Sequence, residues 1–123
     1  MASLKQGYAF VLKSIKKDKT LKPVVESLKG KTYIVSGSTR GVGLSIATKL
    51  AGQGANVVIT GRTVEPHPKL EGTLMSARDS IIETTKNNNC LALPCDIRKE
   101  QDISYAIQRT LYKFGSIDGV VLN

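Results

Sequence analysis

The stretch SGSTRGVG, residues 36–43, contains three glycines and lies where one sequence pattern gives way to another. Before it, the run TYIVS at 32–36 is short and rich in β-branched and aromatic residues, which is typical of a buried strand. After it, apolar residues recur at helical spacing over 44–51. A glycine-rich turn between a strand and a helix brings backbone N–H groups and the positive end of the helix close to a bound anion. The stretch therefore predicts a site for a pyrophosphate.

Each glycine of the stretch has its own expected role. Gly37 is expected to make the tight turn, because glycine adopts positive φ without strain. Gly41 is expected to let phosphates approach the backbone, and Gly43 to let the helix pack close to its strands. The residues expected to line this site are Ser36, Gly37, Ser38, Thr39, Arg40, Gly41, Val42 and Gly43.

The rest of the chain alternates strand and helix patterns. Further strands are predicted at 55–60, 90–94 and 119–122, and further helices over 74–82 and 103–114. Such alternation is typical of an α/β fold with a parallel sheet covered on both faces. The last strand meets Asn123 with no helix after it, so we expect 31–123 to be the first half of a larger, truncated domain of about four strands.

Residues 1–30 differ from the rest in charge. The chain carries a net charge of +8, and 1–31 holds eight lysines against Asp18 and Glu26, six of those eight charges. Apolar residues at helical spacing predict a basic amphipathic helix over about 1–17. Its expected role is docking, on the chain's own core or on a protein partner; organellar targeting and peripheral contact with a lipid surface are the alternatives.

The composition excludes several classes of protein. No window approaches the ~20 apolar residues of a membrane span, and the near-balanced charge after residue 31, without tryptophan, predicts no nucleic-acid partner. Cys90 and Cys95 are five apart in a predicted strand and should face opposite sides, which predicts two buried free thiols and no metal pair. Free thiols favour an intracellular, reducing compartment, with a mitochondrion or peroxisome as possible sites.

The glycine spacing G-x-x-x-G-x-G resembles the short-chain dehydrogenase/reductase family. Its motif T-G-x-x-x-G-x-G is matched with Ser36 in the usual threonine position. Asp96 matches the acid that the family places beside the adenine ring, although a helix N-cap is an alternative role for it. Asp118 matches the acid before the fourth strand, and Asn123 the second asparagine of N-N-A-G, whose first asparagine is replaced by Leu122.

The resemblance covers about residues 30–123 and implies a Rossmann-type doubly wound parallel sheet that binds a nicotinamide dinucleotide. Within the family, PHPKLEGT at 66–73 resembles a loop of the hydroxysteroid dehydrogenase-like proteins. His67 in this run is expected to be a surface loop residue rather than a base or a ligand. Lys99, Glu100 and Asp102 are expected to form the solvated start of a helix.

The residues after the second strand predict which cofactor is bound. NAD-specific sites of this architecture place an acid there, which would repel a 2′-phosphate. Here Thr60 and Gly61 lead to Arg62, and both Arg62 and Arg40 are candidates to bind a phosphate with their planar guanidinium groups. This favours NADP(H) over NAD(H), the alternative being that either arginine is only a solvated surface residue.

The family's catalytic tyrosine, followed four residues later by lysine, has no counterpart. Position i+4 after the tyrosines at 8, 33, 105 and 112 is occupied by Leu12, Gly37, Arg109 and Ser116. Arginine stays protonated and cannot join a proton relay, so no catalytic residue is predicted. Two hypotheses follow: the NADP(H)-binding portion of a reductase acting on a carbonyl or hydroxyl substrate, or a degenerate, non-catalytic structural subunit of a larger assembly.

Overall fold

A computed structural model describes residues 27–69 and 72–123 of the chain. The predicted amphipathic helix over 1–17 lies outside the described residues. Seven elements follow in the order β1 (Thr32–Val35), α1 (Gly41–Gly52), β2 (Asn56–Gly61), α2 (Leu74–Thr85), β3 (Cys90–Pro94), α3 (Glu100–Phe114) and β4 (Gly119–Val121). The predicted alternation of strands and helices is confirmed, with bounds that differ by one residue for three of the strands.

The four strands form one parallel sheet in the order β3-β2-β1-β4. At the carboxyl end of β1, Val35 pairs with Ile59 on one side and Val121 on the other. The chain therefore proceeds from β1 outward through β2 and β3, then returns to the other side of β1. Ligands of open α/β sheets bind beyond the carboxyl ends of the strands at this point of reversal, and the glycine stretch follows β1 there.

Helices cover both faces of the sheet. On one face, Val35, Val57 and Ile59 pack in one cluster with Ala47 of α1 and Ile81 of α2. This packing explains the apolar spacing of both helices, since burial of an apolar stripe is what holds an amphipathic helix on a sheet.

The opposite face is covered by α3, whose buried residues are Ala106 and Thr110. Ala106 packs with Ile34 of β1, Val58 of β2 and Leu93 of β3. The apolar positions that marked this helix in the sequence are less buried than their spacing suggests: Ile103, Ile107 and Leu111 are 39%, 40% and 45% exposed.

The two cysteines are free and buried, on opposite faces of the sheet as predicted. Cys90 opens β3, but Cys95 follows the strand rather than lying in it, because β3 ends at Pro94. Among residues 27–69 and 72–123, no helix combines the length and apolar character needed to cross a bilayer.

Candidate dinucleotide-binding site

The glycine stretch forms the turn between β1 and α1. Gly37 and Gly41 have φ of 57° and 61°, a region that favours glycine. A Cβ added to Gly43 would overlap the carbonyl group of Gly37, so α1 approaches the turn more closely than any other residue would allow. Nothing lies within 4 Å of the position that a Cβ on Gly41 would take. The backbone at Gly41 therefore leaves space for a ligand.

The first turn of α1 faces this opening without a capping side chain. Arg40 is the N-cap residue and makes no side-chain hydrogen bond to the turn. The first N–H groups of an α-helix have no acceptor within the helix and carry its positive partial charge. An anion such as a pyrophosphate supplies both missing partners.

Ser38 stabilises the turn through hydrogen bonds to β1 and β2. Its hydroxyl donates to the Val35 carbonyl at 2.7 Å and accepts from the Thr60 N–H at 2.9 Å, while its own N–H donates to the Thr60 carbonyl at 3.0 Å. The residue is fully buried, so its side chain ties the ends of β1 and β2 together. Predicted as a lining residue, Ser38 supports the site without facing the cleft.

The end of β4 braces the same turn. The Asn123 N–H donates to the Ser36 hydroxyl at 2.9 Å, and the Asn123 side-chain amide donates to the Gly37 carbonyl at 3.1 Å. Ser36 N–H in turn donates to the Val121 carbonyl at 2.9 Å. Asp118 is at the other end of β4, where its carboxylate accepts from the Thr32 N–H at 2.8 Å and stabilises the start of the sheet.

A cleft of about 470 Å³ opens beyond the carboxyl ends of β1, β2 and β3. This volume is within the range of ~300–1,000 Å³ that small-molecule and cofactor sites occupy. Of the residues predicted for the site, those that line the cleft are Gly37, Thr39, Arg40, Arg62, Asp96 and Asn123. Those that do not line it are Ser36, Ser38, Gly41, Val42 and Gly43, which form the turn and the start of α1.

Five further residues of the cleft were missed as site residues by the sequence reasoning: Gly61, Thr63, Cys95, Ile97 and Arg98. Gly61 matters because a Cβ there would overlap the hydroxyl of Thr39, so glycine at the end of β2 lets the turn pack against that strand. A glycine closing a β-rich run is a recognised signal of close backbone approach. Arg98 carried no such signal.

The charge of the cleft is dominated by arginine. Arg40, Arg62 and Arg98 line it, and Asp96 is the one carboxylate among the lining residues that the structure describes. Arg40 Nη2 is 3.5 Å from the Gly72 carbonyl oxygen, at the outer limit of a hydrogen bond. The cleft therefore suits a ligand with several negative charges.

Asp96 is held by Arg98. Arg98 Nε donates to Oδ1 at 3.0 Å and Nη2 to Oδ2 at 2.8 Å, and the Arg98 backbone N–H donates to Oδ1 at 3.0 Å. These hydrogen bonds, with a smaller effect of the Arg62 charge, hold the pKa of Asp96 well below its usual range although burial opposes them. The carboxylate is thus ionised at neutral pH.

The helix N-cap alternative for Asp96 is wrong, because the N-cap of α3 is Lys99. The expectation for Asp102 is wrong as well. Its side chain is half-buried rather than solvated, and its Oδ2 accepts from the Asp96 N–H at 2.9 Å. Lys99 and Glu100 are exposed, as expected.

The remaining titratable groups near the sheet carry no sign of catalysis. Burial, followed by the charges of Asp102 and Asp96, raises the pKa of the Cys95 thiol. His67 is exposed in its loop, outside the cleft, and its Nδ1 accepts from the Lys69 N–H at 3.0 Å. Among the residues that the structure describes, no three His, Cys, Asp or Glu side chains cluster as metal ligands do.

The chain is similar over most of its described length to curated proteins and solved structures. Human hydroxysteroid dehydrogenase-like protein 2 is 45% identical over 103 residues, which cover 82% of this chain and 24% of the relative. The Danio rerio protein of the same name is 45% identical over 98 residues, covering 78% and 23%. The chain thus spans about a quarter of the length of these curated relatives.

Solved structures of short chain dehydrogenases and related reductases are also similar to this chain. A short chain dehydrogenase from Mycobacterium thermoresistibile matches with a TM-score of 0.69 and 43% identity, over 79% of this chain and 34% of its own. A variant of actinorhodin polyketide ketoreductase with NADPH matches with a TM-score of 0.65 and 25% identity, over 76% and 32%. The family model described as short chain dehydrogenase matches residues 31–123. The chain therefore belongs to the short chain dehydrogenase family, and its sheet and glycine turn are part of that family's NAD(P)-binding Rossmann fold.

Proposed function

We propose that this chain forms the NADP(H)-binding part of a short-chain oxidoreductase that interconverts a carbonyl group and an alcohol. The observation that carries the cofactor preference is the end of β2, where Gly61 leads directly to Arg62 at the cleft. An acid at this place would accept the ribose hydroxyls of NAD and repel a 2′-phosphate. Arginine there favours the phosphate, because its planar fork matches two phosphate oxygens.

The glycine turn and the cleft residues beside it would accommodate the successive parts of a dinucleotide. The first turn of α1, open at Gly41, would hold the pyrophosphate. Arg62 and Arg40 would bind the 2′-phosphate, and Asp96 with the exposed apolar side chain of Ile97 would receive the adenine. The polyketide ketoreductase neighbour, whose structure contains NADPH, supports this choice.

The bound cofactor would supply or accept the hydride, and this chain's part in the reaction is to bind and orient it. Proton transfer to the reacting oxygen needs a general acid, and the family's tyrosine with lysine four residues later is absent from the sequence. The name of the curated relatives makes a hydroxysteroid one candidate substrate within the carbonyl and hydroxyl class.

The cofactor preference is tested by titrating the full chain with NADPH and with NADH, following cofactor fluorescence. NADPH should bind at least about tenfold more tightly, which corresponds to ~1.4 kcal/mol. Arg62→Ala should remove most of this difference, whereas Arg109→Ala, which removes the same charge from an exposed site on α3, should leave it intact. Equal affinity of the parent chain for both dinucleotides would contradict the proposal.

The second candidate function, a non-catalytic structural subunit, is favoured by the apolar side chains that remain exposed. Ile107 and Leu111 on α3 are 40% and 45% exposed, and Val120 on β4 is 55% exposed. We infer that these side chains contribute to a surface for association, since contiguous patches of exposed apolar groups mark such surfaces. Native mass spectrometry tests this function: a stable complex without bound dinucleotide supports it, and a free monomer that binds NADPH counts against it.

A further inference from the structure

Asp96 places a negative charge in a cleft that is otherwise suited to phosphate. It is the one carboxylate among the described residues that line the cleft, and Arg62 lines the same cleft. The charge of Arg62 acts on the Asp96 carboxylate and lowers its pKa, so the two charges are close enough to interact. A 2′-phosphate bound by Arg62 would therefore meet a neighbouring anion that repels it and competes for the same guanidinium.

Arg98 supplies a second positive charge to this carboxylate. Its Nε donates to Oδ1 at 3.0 Å and its Nη2 donates to Oδ2 at 2.8 Å, so the planar fork faces both oxygens. Two parallel hydrogen bonds of this kind fix the geometry of a pair as well as its energy. Together the two side chains carry no net charge, so they repel a distant anion far less than the carboxylate alone would.

The ion pair is not needed to close its loop. The Lys99 N–H donates to the Asp96 carbonyl at 2.9 Å, and the Asp96 N–H donates to Asp102 Oδ2 at 2.9 Å. The Arg98 side chain is 73% exposed, and exposed ion pairs contribute little to stability. Its position at the cleft therefore points to a role in binding rather than in folding.

We propose that Arg98 is a positioning residue that neutralises Asp96, leaves Arg62 to the 2′-phosphate and so sets the preference for a phosphorylated dinucleotide without contacting the phosphate. The proposal rests on the NADP(H)-binding function above. A phosphate monoester carries a charge of about −1.5 to −2 at neutral pH. The field of an unpaired carboxylate would therefore weaken NADPH binding strongly, whereas NADH, which has a neutral hydroxyl at this place, would be affected little.

The test measures the dissociation constants of NADPH and NADH for the full chain at low salt, and compares their ratio between variants. Arg98→Ala should lower the preference for NADPH at least about threefold, mainly through weaker binding of NADPH. Arg98→Lys keeps the positive charge and should hold the ratio within about twofold of the parent. Arg98→Gln keeps a donor and most of the length without the charge, so it should behave as Arg98→Ala does.

Variants of Asp96 separate neutralisation from direct contact with the phosphate. Asp96→Asn removes the carboxylate and should raise the preference for NADPH at least about threefold. The double variant Arg98→Ala/Asp96→Asn should return to within about twofold of the parent, because both charges are gone. Any contact of Asp96 with the part common to both dinucleotides cancels in the ratio. If Arg98 bound the phosphate itself, the double variant would remain as low as Arg98→Ala.

Salt and a distant arginine provide the controls. The effect of Arg98→Ala should shrink as the salt concentration rises, because the charges are exposed to solvent screening. Arg109→Ala removes a positive charge outside the cleft and should leave the ratio unchanged. If Arg98→Ala unfolds in a thermal melt, the contrast between Arg98→Lys and Arg98→Gln, which differ in charge, decides the proposal.

Failure of this inference can be told apart from failure of the function on which it rests. A parent that prefers NADPH, with the same ratio in Arg98→Ala and Arg98→Gln, overturns the role of Arg98 alone. A double variant that remains as low as Arg98→Ala overturns neutralisation in favour of direct contact. A parent that binds both dinucleotides equally, or neither, overturns the NADP(H) preference and this inference together.

Discussion

Replacing Gly43 by alanine is expected to destabilise the fold and the binding turn at once. A Cβ at this position would overlap the Gly37 carbonyl and would lie 2.7 Å from the Asn123 side-chain nitrogen. The main obstacle is backbone, which cannot rotate away, so α1 must shift from the turn. Overpacking of this kind costs ~1–3 kcal/mol, whereas alanine gains about 1 kcal/mol over glycine in helix propensity.

Gly52, in the last turn of the same helix, provides the matched control. Its added Cβ would meet only Thr85 Cγ2, at an ordinary 3.9 Å. Both variants share the gain in helix propensity, so the difference between them isolates the overpacking cost of ~1–3 kcal/mol. At about 4 °C per kcal/mol for a chain of this size, Gly43→Ala should melt ~4–12 °C below Gly52→Ala.

The assay pairs thermal unfolding, followed by circular dichroism, with NADPH titration of both variants. Gly52→Ala should bind the cofactor as the parent does, and Gly43→Ala should bind at least about tenfold more weakly because the first turn of α1 is displaced. A Gly43→Ala variant that melts with Gly52→Ala and keeps the parent's affinity would refute the close-packing role of this glycine.

Three further predictions concern the supports of the site. Ser38→Ala should lower the free energy of unfolding by ~1–3 kcal/mol in urea titrations, because it leaves the buried Thr60 N–H without the Ser38 hydroxyl as its acceptor. Asp96→Asn should weaken the fall of the free energy of unfolding at acid pH. Because the native pKa of Asp96 is lowered, its carboxylate stabilises the parent above the usual carboxyl pKa of about 4. This stabilisation is lost as the pH falls below that value. Burial raises the pKa of Cys90 to about 11 and that of Cys95 in the same direction, so both thiols should react slowly with a disulfide reagent at pH ~8 and rapidly once the chain is unfolded.

The first two of these predictions have a control variant on the same chain. Ser45→Ala, on the exposed side of α1, should change the free energy of unfolding by less than ~0.5 kcal/mol. Asp79→Asn removes an exposed carboxylate and should keep the steep acid limb. If a control variant has the same effect as the variant that it is paired with, the role assigned to Ser38 or Asp96 is contradicted. Fast labelling of both thiols in the native state would contradict their burial.

Much of the fold could be predicted because local patterns and tertiary packing agree in it. β3 was predicted with its observed bounds, and the glycine stretch with its place between β1 and α1. Helix α3 was predicted from its apolar spacing, but the spacing overestimates its burial, since one sheet face covers only the stripe at Ala106 and Thr110. The periodicity indicates which side of a helix is apolar, whereas the degree to which that side is buried depends on the elements packed against it.

The site was predictable where a residue type itself carries the chemistry. Glycines at a turn and arginines at the end of a strand have few alternatives to their physical roles. The role of Ser38 and the pairing of Asp96 with Arg98 could not be predicted, since they depend on the direction of side chains in folded loops. The contact of Thr39 with Gly61 joins the glycine turn to the end of β2, which only the folded sheet brings together.

The brace from Asn123 to the glycine turn has a consequence for the order of events during synthesis. Ser36 and Gly37 are made early, yet the groups of β4 that hold them come 85 to 87 residues later. Contacts so distant in sequence form late, because a long loop must close first. A nascent chain that stops before β4 lacks these contacts, so the binding turn is complete only after β4 has joined β1.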